Sequence, residues 1–207
     1  MLLSEDVDQD FEFSVNAILS GHSQDVKFVK WHPTENLLFS SSYDNTIKCW
    51  VYDNSVDDWL CSFTITGHES TIWQIDFDTT GKFLAACSED KKWSVWNIQD
   101  TRTFSNKGIF PNHHMRSIYS ISWSKALQNQ DSELIATGSS DNRICVFEVS
   151  KKDLLENSNE NVSYNTLVQK NMAHQNDINC VEFCPSDPKI LASCSDDGLV
   201  KIWRINV

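Results

Sequence analysis

Glycine is scarce in this sequence, six residues in 207, and none sits in a glycine-rich loop that could cradle a phosphate. The GxSxG turn of a hydrolase and the HExxH helix of a metalloprotease are missing as well, so the chain is read as non-enzymatic, with no cofactor and no metal. No stretch approaches the roughly 20 consecutive apolar residues that a membrane helix needs. The opening MLLSEDVDQDFEF has acids where a secretory leader needs a basic and then an apolar region. Basic residues are in short supply too. Seventeen face 29 acidic ones, a net charge of -12, which repels phosphate backbones and anionic bilayers; neither nucleic acid nor membrane is expected as a direct partner. The seven cysteines are odd in number and scattered through apolar runs such as LAACSED. They suit small core side chains in a reducing compartment, cytoplasmic and also nuclear, better than a disulfide framework.

What the chain does contain is 40% apolar and 11% aromatic residues, enough for a packed core, and an internal repeat. Four segments align, from GHSQDVKFVKW to TIKCW, from GHESTIWQIDF to WSVW, from HMRSIYSISW to ICVF and from HQNDINCVEF to VKIW. Each opens with a histidine, His22, His68, His114 or His174. Each closes with an aspartate six residues before an aromatic: Asp44 and Trp50, Asp90 and Trp96, Asp141 and Phe147, Asp197 and Trp203. Apolar residues alternate between these landmarks, and HPTEN, DTTG and PSDP mark turns. Each unit reads as three short strands, with a fourth outer strand in the linker to the next unit.

This pattern resembles the WD40 repeat, one four-stranded blade per period of about 40 to 45 residues. The resemblance implies an all-β fold, a WD40 β-propeller with four recognisable blades in a partial or small ring. A single domain over 1–207 would hold repeats near 20–52, 66–98, 112–149 and 172–205, with a flexible insertion at 150–166. It also implies a polar relay in each blade: the aspartate holds the histidine, the histidine meets a hydroxyl on the middle strand, and that hydroxyl meets the Trp indole. The residues four before each aspartate are Ser40, Ala86, Thr137 and Ser193. The second blade is therefore expected to lack the hydroxyl, and the third, with Phe147, the indole. Recurrence of the His and Asp pair in all four units argues for an internal brace and against a catalytic or metal site. Cys180, Cys184 and Cys194 are read as core residues, since cluster ligation normally takes four thiolates at loop spacing. FEFSVNAIL, with alternating Phe11, Phe13, Val15 and Ala17, is expected to add the strand that the last unit lacks and so remove an exposed edge.

In such a fold the histidine loops and aspartate turns open on one face. The positions three and five after the histidine and one before the aspartate form a ring: Asp25, Lys27 and Tyr43; Thr71, Trp73 and Glu89; Ser117, Tyr119 and Ser140; Asp177, Asn179 and Asp196. Tyr43, Trp73 and Tyr119 are the expected anchors for a partner protein, and the acids favour a partner with a basic patch. HSQDVKFVKWHP, LLFSSSYDNTIKCW, DDWLCSFTITGHESTIW and ILASCSDDGLVKIW further resemble the WD40 subunit of the cytosolic iron-sulfur protein assembly targeting complex. That likeness implies the C-terminal four blades of a seven-bladed family. The role it implies is a scaffold that, with a HEAT-repeat subunit and a small subunit, presents apo iron-sulfur proteins to the assembly machinery. Another WD40 adaptor, such as a ubiquitin-ligase substrate receptor or a chromatin-complex subunit, and a truncated product without function are the alternatives.

Overall fold

A computed structural model describes residues 14–125, 131–156 and 161–206. Three antiparallel meanders of four strands follow one another. The first is β1 (Val26–Trp31), β2 (Leu37–Ser42), β3 (Ile47–Asp53) and β4 (Asp58–Ile65); the second is β5 (Ile72–Phe77), β6 (Phe83–Ser88), β7 (Trp93–Ile98) and β8 (Phe104–Phe110). The third is β9 (Ile118–Trp123), β10 (Ser132–Ser139), β11 (Ile144–Ser150) and β12 (Tyr164–Lys170). The last sheet has three strands, β13 (Ile178–Cys184), β14 (Asp187–Ser195) and β15 (Val200–Arg204). Each sheet is one blade of a β-propeller.

The turn between the two middle strands of every blade is built the same way. A serine hydroxyl (Ser42, Ser88, Ser139 or Ser195) accepts the aspartate amide, and the aspartate carboxylate accepts the amide two residues on. The residue after the aspartate is then forced into the left-handed region: Asn45 at φ 66°, Lys91 at 69°, Asn142 at 65° and Gly198 at 78°. Asn and Gly suit that conformation, while Lys91 carries its strain.

Blades pack face to face through three apolar cores. Phe39, Ile47 and Cys49 of the first blade meet Ile75, Phe77 and Trp96 of the second. Ala85, Trp93 and Val95 meet Ile121, Trp123 and Phe147, and Ala136, Ile144 and Val146 meet Val181, Phe183 and Leu191. Trp93 is fully buried and stacked 4.6 Å from Phe147, a core residue as its apolar counterparts in the other blades imply. The innermost strands would present unpaired N–H groups at their free edge, and side chains of the preceding blade satisfy them. Gln74 accepts from the Ile121 amide at 3.1 Å and Asp76 from the Trp123 amide at 2.8 Å; Ser120 and Ser122 do the same for Val181 and Phe183 at 2.9 and 3.1 Å. Buried Asp76 also takes Lys30 of the first blade at 3.0 Å and Lys125 at 3.2 Å. Packing thus runs β1 on β5, β5 on β9 and β9 on β13, with no comparable contact from β13 back to β1. The described residues form an arc of blades.

Two expectations are corrected. Residues 14–25 form no strand, and Val15 and Ile18 are exposed, so among the described residues the last blade keeps three strands. Phe11 and Phe13 lie outside the described residues. In place of a flexible insertion at 150–166, the described residues hold α1 (Lys151–Leu155), capped by the Ser150 hydroxyl, then the first residues of β12. Leu154 and Val162 are buried there. The ammonium of buried Lys107 donates to the carbonyls of Asp153 and Glu156, and the Val162 amide bonds the Lys107 carbonyl at 2.7 Å. Apolar anchors spaced too far apart for a periodic signal hold this strap down.

Candidate protein-binding face

The relay is complete in three blades. In the first, His22 Nδ1 lies 2.8 Å from Asp44 and its Nε2 2.7 Å from Ser40 Oγ, and Trp50 Nε1 donates to that oxygen at 2.8 Å. In the fourth, His174, Asp197, Ser193 and Trp203 repeat the chain at 2.9, 2.7 and 2.8 Å. Because the indole only donates and the carboxylate only accepts, the two ends of each chain are fixed: the indole N–H donates to the hydroxyl and Nδ1–H donates to the aspartate, with the hydroxyl against Nε2 between them. The second blade corrects the expectation: Ser94 replaces the missing hydroxyl, 2.8 Å from His68 Nε2 and 2.8 Å from Trp96 Nε1, with His68 Nδ1 2.8 Å from Asp90. In the third blade His114 bonds Asp141 at 3.1 Å and Thr137 at 2.8 Å, and Phe147 brings no indole, as its identity dictates.

Burial works against charge on these aspartates, yet hydrogen bonds overcome it. The Thr46 hydroxyl, His22 and the Ser23 amide hold the Asp44 carboxyl down at about 2. The Gln175 amide, His174 and the Leu199 amide hold Asp197 at about 2 against the same opposition. Asp90 and Asp141 are lowered likewise through His68 and His114. The relay is an internal brace that fixes the loops above it.

Those loops and the first residues of β1, β5, β9 and β13 carry the predicted ring positions. In every blade the residue before the aspartate donates its amide to the carbonyl of the residue three after the histidine: Tyr43 to Asp25 at 2.9 Å, Glu89 to Thr71 at 2.9 Å, Ser140 to Ser117 at 3.0 Å and Asp196 to Asp177 at 3.1 Å. One backbone bond thus brings the predicted positions together four times. Half-buried Tyr43, Trp73 and Tyr119 form a continuous row across three blades, edge to face, with ring centroids 5.5 and 5.1 Å apart. Lys27 places its ammonium 4.0 Å from the Tyr43 centroid and 3.5 Å from Asp25. Thr71 and Ser140, expected on the surface, are buried. Asn179 continues the ring in the fourth blade and donates to Asp196. Sequence reasoning missed Arg116, which spans two blades: its Nη1 donates to the Ser140 carbonyl at 2.8 Å and lies 3.6 Å from Asp177. The rim is therefore acidic at Asp25, Glu89, Asp177 and Asp196, with Lys27 and Arg116 set among the acids.

The cysteines lie elsewhere. Burial pushes the Cys49 and Cys145 thiols up to about 12 and raises Cys87 as well, so these are protonated core side chains. Cys180 and Cys194 face each other across β13 and β14, and Cys61 is exposed. Among the described residues no group of three or more His, Cys, Asp or Glu side chains is placed to hold a metal ion.

Four antiparallel blades, each braced by a His–Asp relay, define a β-propeller of the repeat class. The WD domain, G-beta repeat, matches residues 13–51, 59–97, 104–148 and 165–204, and the chain belongs to that WD40 family, alongside curated cytosolic iron-sulfur protein assembly proteins. It is 36% identical to the probable cytosolic iron-sulfur protein assembly protein Ciao1 of Aedes aegypti over 77% of this chain and 48% of that one. It is 35% identical to the probable homolog of Chlamydomonas reinhardtii over 74% and 48%. To the probable cytosolic iron-sulfur protein assembly protein 1 of Kluyveromyces lactis it is 31% identical over 96% and 72%. The chain spans about half the length of the first two relatives.

Proposed function

We propose that this chain is a non-catalytic protein-binding scaffold in cytosolic iron-sulfur protein assembly, binding through the face that carries Tyr43, Trp73 and Tyr119. The observation that carries the reading is the unbroken aromatic row across three blades. Edge-to-face aromatics already half-buried and held by neighbours lose little freedom when a partner covers them, as in interface anchors. The surrounding acids speed encounter with a basic partner at low salt. The relatives' names supply the pathway and the cytosolic location; the HEAT-repeat and small subunits of the targeting complex and apo iron-sulfur proteins are the partners that the resemblance brings to it.

The test is affinity recovery of partners from cytosolic extract by the tagged chain, compared with Trp73→Ala and Tyr119→Ala variants of unchanged melting temperature. Recovery of iron-sulfur assembly subunits is expected with the parent chain, and each variant should weaken it about 30-fold, the effect of roughly 2 kcal/mol at an anchor. Equal recovery by the variants moves the interface off this face. Recovery of a ubiquitin-ligase adaptor instead overturns the pathway while leaving the face intact.

A further inference from the structure

Two positions on the rim of each blade, five after the relay histidine and one before the relay aspartate, are drawn together by a single backbone bond. The amide at the second position donates to the carbonyl two residues before the first. In the first blade the pair is Lys27 and Tyr43, a cation 4.0 Å from a ring centroid. In the fourth it is Asn179 and Asp196, joined side chain to side chain. In the second it is Trp73 and Glu89, so a ring and a carboxylate share the position pair that holds a ring and a cation one blade earlier. The acids of the rim also differ in what they already bind. Asp25 pairs with Lys27 at 3.5 Å, Asp177 with Arg116 at 3.6 Å, and Asp196 accepts from the Asn179 amide. Exposed Glu89 accepts from the Ser70 hydroxyl at 3.5 Å, and among the described residues no Lys, Arg or His pairs with it. Trp73 is half-buried and held edge to face by Tyr43 and Tyr119.

We infer that Trp73 and Glu89 receive an arginine side chain of the partner protein, the guanidinium lying on the indole and donating to the carboxylate. This rests on the binding face proposed above and names the group that enters it. A cation over an aromatic ring is attracted by the ring's quadrupole, most strongly over Trp, and the first blade already uses that attraction on its own Lys27. Arginine is selected over lysine because its planar fork stacks on a ring and meets a carboxylate with two N–H groups at once. A lysine ammonium is a compact, strongly hydrated point charge. The wider field acts in the same direction: Lys27 and Arg116 stand against four rim acids in a chain of net charge -12, which draws a cationic group inward. Both residues are also held in advance. Asp90, next to Glu89, is bound by His68, and the Glu89 amide by the Thr71 carbonyl, so little ordering is left for binding to impose.

The experiment is a titration of the 207-residue chain with three capped peptides identical but for one residue, arginine, lysine or uncharged citrulline. The readout is the Trp73 indole N–H signal in nitrogen–proton NMR spectra, assigned among the eight tryptophans with Trp73→Phe. The arginine peptide should move it saturably, with a dissociation constant on the order of 1 mM at low salt. The lysine peptide should bind about 3-fold more weakly and the citrulline peptide at least about 10-fold. Glu89→Gln, at an exposed position, should weaken the arginine peptide about 10-fold at unchanged melting temperature, while Asp196→Asn changes it by less than about 2-fold. Equal binding of the arginine and citrulline peptides, or equal binding by Glu89→Gln and the parent, overturns the inference. So does a lysine peptide that binds as tightly as the arginine one. Recovery from extract separates this outcome from that of the face itself. If Trp73→Ala loses the assembly subunits while Glu89→Gln keeps them, the face stands and the arginine falls. If the peptide binds through arginine while both variants recover the subunits like the parent, the arginine site stands and the face is withdrawn from iron-sulfur assembly.

Discussion

Ser94 can stand in for the hydroxyl that Ala86 lacks because the two residues face each other across β6 and β7. The relay needs an oxygen at one point in space, between an imidazole and an indole, and either strand can deliver it. The Ser94→Ala variant should leave His68 Nε2 and the Trp96 indole buried without partners, a loss of about 1 to 3 kcal/mol for each orphaned group. Adding Ala86→Ser to that variant should restore most of the loss, with urea denaturation as the measurement. If the double variant is no more stable than the single one, the oxygen is held by strand identity and not by position. The sequence landmarks reveal the His, Asp and aromatic of each relay because their spacing is rigid. They hide Ser94, since linear spacing follows one strand and the substitution crosses to its neighbour. The ring positions divide in the same way. Eight of the twelve lie in loops or turns and Lys27, Trp73, Tyr119 and Asn179 near the starts of β1, β5, β9 and β13, while Thr71 and Ser140 are buried.

At the scale of the element, the strap between β11 and β12 shows where composition misleads. Ser, Asn and Glu between Val149 and Leu167 read as solvated chain, yet among the described residues Leu154 on α1 and Val162 beyond it are buried and Tyr164 packs on the core, each isolated in the sequence. None of them can be seen as a periodic pattern. The organising residue is remote in sequence: Lys107, whose ammonium bonds the carbonyls of Asp153 and Glu156 and closes the last turn of α1. A buried cation without partners is costly, so these carbonyls are what Lys107 requires. The Lys107→Ala variant should therefore release the strap before the blades. Hydrogen exchange should show lost protection at Glu156 and Val162 while β5 to β7 are unaffected. Uniform loss across the second and third blades would mean that Lys107 supports the core itself.

Across the whole molecule the four relays act together when pH falls. Each aspartate is held below its ordinary value of 3.8, to about 2 for Asp44 and Asp197 and in the same direction for Asp90 and Asp141. A folded-state value below the unfolded one means that the stabilisation is complete above the unfolded value and is lost as pH drops through the folded value. Melting temperature should be flat with respect to these groups above about pH 5 and fall between about pH 4 and 2. The Asp44→Asn variant should start lower and fall less steeply over that interval. An equal slope in parent and variant would remove the relay from the acid response. The arc itself was only partly legible. The repeat count follows from the landmarks, but which faces stay open depends on how the blades pack, and that is not written in any one repeat.

The polar rungs between inner strands carry a consequence for how such a chain could have been copied from its own parts. Blades that arise by duplication begin as interchangeable units. Here Lys30, Asp76, Ser122 and Glu182 occupy one equivalent position in four blades, and they are no longer alike. Asp76 serves Lys30 before it and the Trp123 amide after it, while Ser122 serves the Phe183 amide. Exchanging the second and third units would set Lys30 beside a serine and bury a carboxylate away from its cation. The order of the units has become part of the information the chain carries, and a transplanted blade would have to bring its neighbours' side chains with it.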